Sequence, residues 1–262
     1  MSNAVRILVV EDNLAAFMAV KGPLKRLGCE AENAKTGAEA VTMAKDNSYD
    51  LIFMDMGLPD MTGLEATQQI REFSQVPMVA LTGYSDKKED CLQAGMQDLV
   101  LKPSQPADLK KIINQYVNPD GAANQSAQDG GEDSLKKPIT DVKPDAHIID
   151  TDSCVEMQEG DAETTKQLLE QCAEEVEGSS EVIEKAYKNN DIKALRSELH
   201  KVRGGVCYLK LPELEEALKK FHESVKAEPE GSETVEKNYQ HLRHATKNFQ
   251  GSISAATGFL DK

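Results

Sequence analysis

The 262-residue chain contains no tryptophan, and aromatic residues make up only 5% of it, too few for recognition by stacking on bases or sugars. Positive charge is also scarce: 30 Lys and Arg stand against 45 Asp and Glu, a net charge of −15. Nucleic-acid binding and adhesion to anionic membranes both draw on Lys and Arg, so no nucleic acid and no direct membrane contact are expected. Long apolar runs are missing. The richest, such as residues 51–54, fall far short of the roughly 20 residues that span a bilayer. The opening residues show no charged segment followed by an apolar one, so no signal peptide is expected. The five cysteines (Cys29, Cys91, Cys154, Cys172, Cys207) are scattered and odd in number, with no Cys-x-x-Cys. They read as reduced thiols of a cytoplasmic protein rather than as a disulfide framework or zinc site.

What is present falls into three stretches. In residues 4–118, short apolar runs (5–10, 50–54, 76–81, 99–101) and a polar-alternating run (29–34) separate helical patterns at 14–27, 37–46, 63–73, 87–94 and 107–117. This alternation predicts an α/β domain with a parallel sheet covered on both faces. Thr36 and Thr62 are expected N-caps, and Gly28 and Gly95 helix stops. Residues 119–148, rich in Gly, Asn, Gln, Ser and Asp, have little to bury and are expected to form a flexible linker. About 30 such residues reach roughly 30 Å end to end. Residues 149–262 are predicted to form an all-α bundle, with helices at 161–177, 180–188, 192–209, 213–226 and 233–260 and Pro212 at a helix start.

In an open parallel sheet, ligands bind beyond the carboxyl ends of the strands. Those ends carry Glu11 and Asp12, Asp55, Thr82 and Lys102. Three carboxylates repel one another unless a hard cation such as Mg²⁺ neutralises them. One carboxylate can then take up a phosphoryl group in line, with metal, lysine and hydroxyl balancing its charge. Asp55, on the central strand, is the expected acceptor. Asp12 is expected to hold the metal directly and Glu11 through water, while Lys102 and Thr82 grip the phosphoryl oxygens.

Residues 4–118 resemble a response-regulator receiver domain. The resemblance rests on Arg6-Ile-Leu-Val-Val-Glu-Asp-Asn13, Asp50-Leu-Ile-Phe-Met-Asp-Met-Gly-Leu-Pro59, Met61-Thr-Gly63, Leu81-Thr-Gly83 and Lys102-Pro103. It implies a flavodoxin-like five-stranded sheet of order 2-1-3-4-5, Asp55 as phosphoacceptor, and a backbone carbonyl ligand to Mg²⁺ from Gly57. The chain departs from the family's pattern twice: Leu99 stands where an aromatic switch residue is customary, and Ser104 where a Phe often follows the Lys-Pro pair.

In the stretch 192–209, apolar residues at 192, 195, 199, 202, 206 and 209 form one helix face. His200 lies at its margin, with Arg196 one turn before and Arg203 and Gly204 one turn after. Imidazole is a nucleophile at neutral pH, and the cations suit a phosphoryl group. Gly204 and Gly205 each cost about 1 kcal/mol against Ala in mid-helix. A bare patch beside His200 that admits another domain's active site accounts for that cost. His222, which no glycine follows, is expected at the surface. Leu199-His-Lys-Val-Arg-Gly-Gly-Val206 resembles the core of a histidine-containing phosphotransfer (HPt) domain, a four-helix bundle with His200 as carrier. Arg203 takes the position of the customary lysine, offering a forked donor in place of a point charge.

The two resemblances imply a phosphorelay intermediate. A histidine kinase or its phosphohistidine domain supplies Asp55, and His200 carries phosphate between this receiver and a downstream response-regulator receiver. No ATP loop is present in the sequence, so kinase activity is expected only if the chain is the C-terminal receiver–HPt piece of a hybrid sensor histidine kinase, which would also tether it to a membrane. The remaining alternative is a phosphorylation-controlled binding regulator with a non-catalytic helical domain.

Overall fold

The computed structural model describes residues 4–83, 87–117, 149–158, 160–227 and 232–260. The expected linker, 119–148, lies outside the described residues.

Five strands, β1 (Val5–Val10), β2 (Cys29–Ala34), β3 (Leu51–Asp55), β4 (Met78–Thr82) and β5 (Asp98–Leu101), pair in parallel in the order β2-β1-β3-β4-β5. Both sheet faces are covered, and the period of two sorts side chains between them. Leu8, Val10, Ile52, Met54, Met78 and Ala80 bury against α2 (Gly37–Asp46), α3 (Gly63–Arg71) and α4 (Lys88–Gln93). Ile7, Val9, Leu51, Phe53, Val79 and Leu81 face α1 (Leu14–Arg26) and α5 (Pro106–Tyr116). Thr36 and Thr62 cap α2 and α3 through their side-chain oxygens. Gly28 and Gly95 take positive φ where α1 and α4 end, a conformation that favours glycine.

The second half consists of a short α6 (Thr151–Met157) and four longer helices, α7 (Ala162–Lys188), α8 (Ile192–Val206), α9 (Pro212–Ala227) and α10 (Glu233–Leu260). Each of the four packs on the next, and α10 closes on α7, giving the expected bundle.

Two expectations need correction. The helices expected at 161–177 and 180–188 are one helix, α7, of 27 residues. Its buried line of Leu168, Cys172, Val176, Ser179, Ile183 and Ala186 continues past Gly178 without a break. The cost of that exposed glycine, about 1 kcal/mol, is small beside the apolar face it would interrupt. The histidine helix ends at Val206 rather than 209. The N–H groups of Cys207, Tyr208 and Leu209 close turns onto Arg203, Gly205 and Val206, so the chain rounds toward Pro212 with Tyr208 and Leu209 still buried.

The two halves are docked. α1 packs against α7 and α8, and one continuous buried cluster runs from Val9 and Phe53 through Ala15 and Val20 to Leu168, Leu199 and Phe221. Among the described residues, no helix is long and apolar enough to cross a membrane.

Candidate functional site

Each parallel strand delivers its last side chain to the same edge of the sheet. Asp55 ends β3, Thr82 ends β4, Glu11 and Asp12 follow β1, and Lys102 follows β5. Glu11, Asp55 and Thr82 are buried to within 3% of full burial. One carboxylate oxygen from each of Glu11, Asp12 and Asp55 falls within 4.8 Å of the others. The Lys102 ammonium donates to Glu11 Oε2 at 2.5 Å and lies 3.1 Å from Asp55 Oδ2. The Met56 N–H donates to Asp55 Oδ1 at 2.7 Å.

The electrostatics follow from this crowding. Burial, reinforced by the charge of Asp55 and opposed by Lys102, pushes Glu11 up to about 8. Burial and Asp55 push Asp12 up to about 6. Burial alone would lower Lys102, but Asp55 and Glu11 outweigh it and hold the ammonium well above its ordinary value. Three carboxylates crowd round Lys102, and a bound cation would relieve their mutual repulsion. A hard divalent cation with oxygen ligands fits such a donor set.

The histidine expected in the second domain meets this edge directly. His200 on α8 lines the same cleft of about 400 Å³ as Glu11, Asp12, Asp55, Gly57, Thr82, Lys102, Lys201, Arg203 and Gly204. Its Nε2 stands where a side chain at Gly57 would begin, so any side chain there would overlap the ring. Burial lowers the His200 pKa, an effect that Asp55 offsets only in part, so the imidazole stays unprotonated and nucleophilic at neutral pH. Of the basic residues expected around His200, Lys201 and Arg203 reach the cleft, whereas Arg196 turns to the Val225 carbonyl.

The bare patch on α8 is occupied by the receiver. A Cβ at Gly204 would make ordinary contact, 3.8 Å from Asn13 Cβ. A Cβ at Gly205 would lie 2.9 Å from Asn13 Oδ1, 3.0 Å from Asn13 Nδ2 and 3.3 Å from Ala15 Cβ. Gly205 therefore sets the approach of the two halves more tightly than Gly204 does. Ser104 also has a partner across the boundary: its hydroxyl lies 3.1 Å from that of Tyr208, and both side chains are buried.

His222 is not at the surface. It is 6% exposed, and its Nδ1 lies 3.2 Å from the Arg203 guanidinium. Arginine can only donate, so Nδ1 accepts and the ring proton sits on Nε2. Burial, with the charges of Lys226, Arg203, His200 and Arg196, pushes His222 down to about 4. The sequence held the signal, because His222 lies four residues after Leu218 on the buried stripe of α9. Glu175 and Asn13 form a further cross-domain contact; no motif marks Glu175, and the motif that ends at Asn13 gives no sign of this partner.

Residues 7–114 match the response regulator receiver domain and residues 167–245 the Hpt domain. The sensor protein GacS of Pseudomonas syringae pv. syringae is 27% identical over 224 residues, covering 82% of this chain and 24% of that protein. Hybrid signal transduction histidine kinase L of Dictyostelium discoideum is 34% identical over 143 residues, covering 50% of this chain and 8% of that protein. A crystal structure of the receiver domain of sensor histidine kinase PA1611 from Pseudomonas aeruginosa PAO1, with a magnesium ion coordinated in its active-site cleft, is 36% identical. It covers 44% of this chain and 99% of that chain, with a TM-score of 0.42. The chain spans about a quarter of the length of the GacS proteins it matches. The chain thus carries a response regulator receiver domain at 7–114 and an Hpt domain at 167–245, two domains of phosphorelay signal transduction.

Proposed function

We infer that the chain passes a phosphoryl group between Asp55 and His200 as an internal step of a phosphorelay. The reading rests on one observation above all: the imidazole of His200 stands over Gly57, two residues from Asp55, inside one cleft. A phosphohistidine of a histidine kinase serves as donor. Its P–N bond breaks as an Asp55 oxygen bonds to phosphorus, giving an acyl phosphate. His200 Nε2 then attacks, the P–N bond forms, and the Asp55 carboxylate leaves. From His200 the group passes to a downstream receiver. Lys102 and Thr82 hold the phosphoryl oxygens, and Arg203, steadied by His222, meets them from the helical side.

Mg²⁺ would be held by Glu11, Asp12, Asp55 and the Gly57 carbonyl, and it supplies charge neutralisation for the anionic group. Residues 4–118 act as receiver and 149–262 as carrier domain, joined by the stretch 119–148, on the cytoplasmic side of the cell. The match to GacS favours a second reading that keeps the same chemistry: the chain is the C-terminal receiver–Hpt part of a hybrid sensor histidine kinase.

The test is to load the protein from a small-molecule phosphodonor with Mg²⁺ and follow acyl phosphate and phosphohistidine separately. Label is expected on Asp55 first and then on His200, in a first-order step independent of protein concentration. A mixture of Asp55→Asn and His200→Gln proteins forces transfer between molecules and should be far slower at micromolar concentration, because within one chain the two sites share a cleft whereas those of separate molecules must first meet. A mixture as fast as the parent at every concentration would remove the internal step.

A further inference from the structure

The contact between the two halves contains one carboxylate aimed at the backbone of the other domain. Glu175, on α7 rather than on the histidine helix, accepts from the Leu14 N–H at 2.7 Å and the Ala15 N–H at 3.4 Å through Oε1. Its Oε2 accepts from Asn13 Nδ2 at 2.7 Å. Asn13 Nδ2 also donates to the carbonyl of Lys201, at 3.1 Å, beside His200. The first turn of α1 has no acidic residue of its own, unlike those of α2, α3 and α5. A helix N-terminus leaves N–H groups open and favours negative charge, and here the second domain supplies it.

The other cross-domain contacts are less directional. Apolar packing tolerates sliding, and the Arg26–Asp161 pair at 3.4 Å is about a third exposed on each side and contributes little. The Ser104–Tyr208 bond is between neutral groups. We propose that Glu175 is a positioning residue that seats the helical domain on the first turn of α1 and so holds His200 opposite Asp55. The proposal rests on the internal transfer described above. Glu175 touches neither the phosphoryl site nor His200. It fixes register through Asn13, which neighbours Asp12 on one side and reaches Lys201 on the other.

In full-length protein loaded from a small-molecule phosphodonor with Mg²⁺, Glu175→Ala should leave labelling of Asp55 unchanged. Passage to His200 should slow by about tenfold to hundredfold, as expected for losing charge-assisted hydrogen bonds. Helix content by circular dichroism checks that the bundle is intact. A charge exchange gives a readout that a purely structural role would not move. Asn13→Asp keeps an oxygen to cap Ala16 but sets a like charge against Glu175, and should slow passage. Adding Glu175→Gln, whose amide can donate to the new carboxylate, should restore part of the rate, while the bond from residue 13 to the Lys201 carbonyl stays lost.

Parental speed in Glu175→Ala overturns the proposal. So does a combined variant slower than Asn13→Asp alone. If the parent loads Asp55 but never labels His200, the internal transfer itself fails, and the proposal falls with it.

Discussion

One methyl group at Gly205 should stabilise the histidine helix and impair the transfer proposed for it. Gly205 lies within α8, where Ala is favoured over Gly by about 1 kcal/mol. The new Cβ, however, would lie 2.9–3.0 Å from the Asn13 side-chain amide. That amide cannot swing aside freely. Its oxygen accepts from the Ala16 N–H at 2.7 Å, and its nitrogen donates to Glu175 and to the Lys201 carbonyl. Overpacking of this kind costs about 1–3 kcal/mol, which lowers the docked population roughly 5- to 150-fold. Gly204→Ala is the control, because its Cβ would make only ordinary contact, 3.8–3.9 Å from Asn13 and Glu11. It should gain the same helix propensity and lose little transfer. The assay is the rate of phosphohistidine appearance after Asp55 is loaded, with melting temperature measured on the same proteins. If Gly205→Ala transfers as fast as Gly204→Ala, α8 does not meet the receiver through this patch.

Other outcomes follow from the site. Asp55→Asn, or removal of Mg²⁺ by a chelator, should abolish labelling from a small-molecule phosphodonor, since clustered carboxylates without a cation repel the anion; equal labelling in either case removes the acceptor or metal assignment. His200→Gln should lose phosphohistidine while helix content and melting temperature stay near the parent's, because the ring sits at the cleft and not among the fully buried residues; a collapsed fold would make it a core residue. For His222 the folded pKa is about 4, below the ordinary 6.5, so the unfolded chain takes up a proton first as pH falls. His222 therefore withdraws stability between about pH 6.5 and 4, at most roughly 3 kcal/mol in all. The difference in unfolding free energy between parent and His222→Gln should shrink across that window, and a difference independent of pH would contradict the buried neutral ring.

The sheet and the acidic edge were legible in the sequence because each is written locally, whereas the strand order followed only from the resemblance to receiver domains. A strand end is marked where an apolar run stops, and the parallel sheet then gathers those ends whatever their separation along the chain. Glu11 and Lys102 are 91 residues apart and share a hydrogen bond. The same holds for the margin of α8, where His200, Arg203 and the two glycines lie within one helical turn. Errors arose where a global face overrode a local signal. Gly178 and Ser179 fell between the two expected helices, yet the buried line of α7 carries through them. His222 read as solvent-facing on its lack of motif, although its spacing from Leu218 sets it on the apolar face of α9.

Least legible was the pairing of the halves, for a physical reason. A metal or phosphoryl site demands particular chemistry from every member, whereas a docking surface demands shape and one or two directed bonds. Glu175 is one acidic residue among many on the bundle, and Asn13 already has a sufficient local role as the cap of α1. Only when α7 and α8 are laid across α1 does the carboxylate find open N–H groups 161 residues away. Gly205 finds the amide beside them. The glycines show how such information enters a sequence: as a local cost, about 1 kcal/mol of helix propensity, whose return lies entirely in another domain. An unexplained cost inside a regular element therefore points outward, toward a surface that something else must approach.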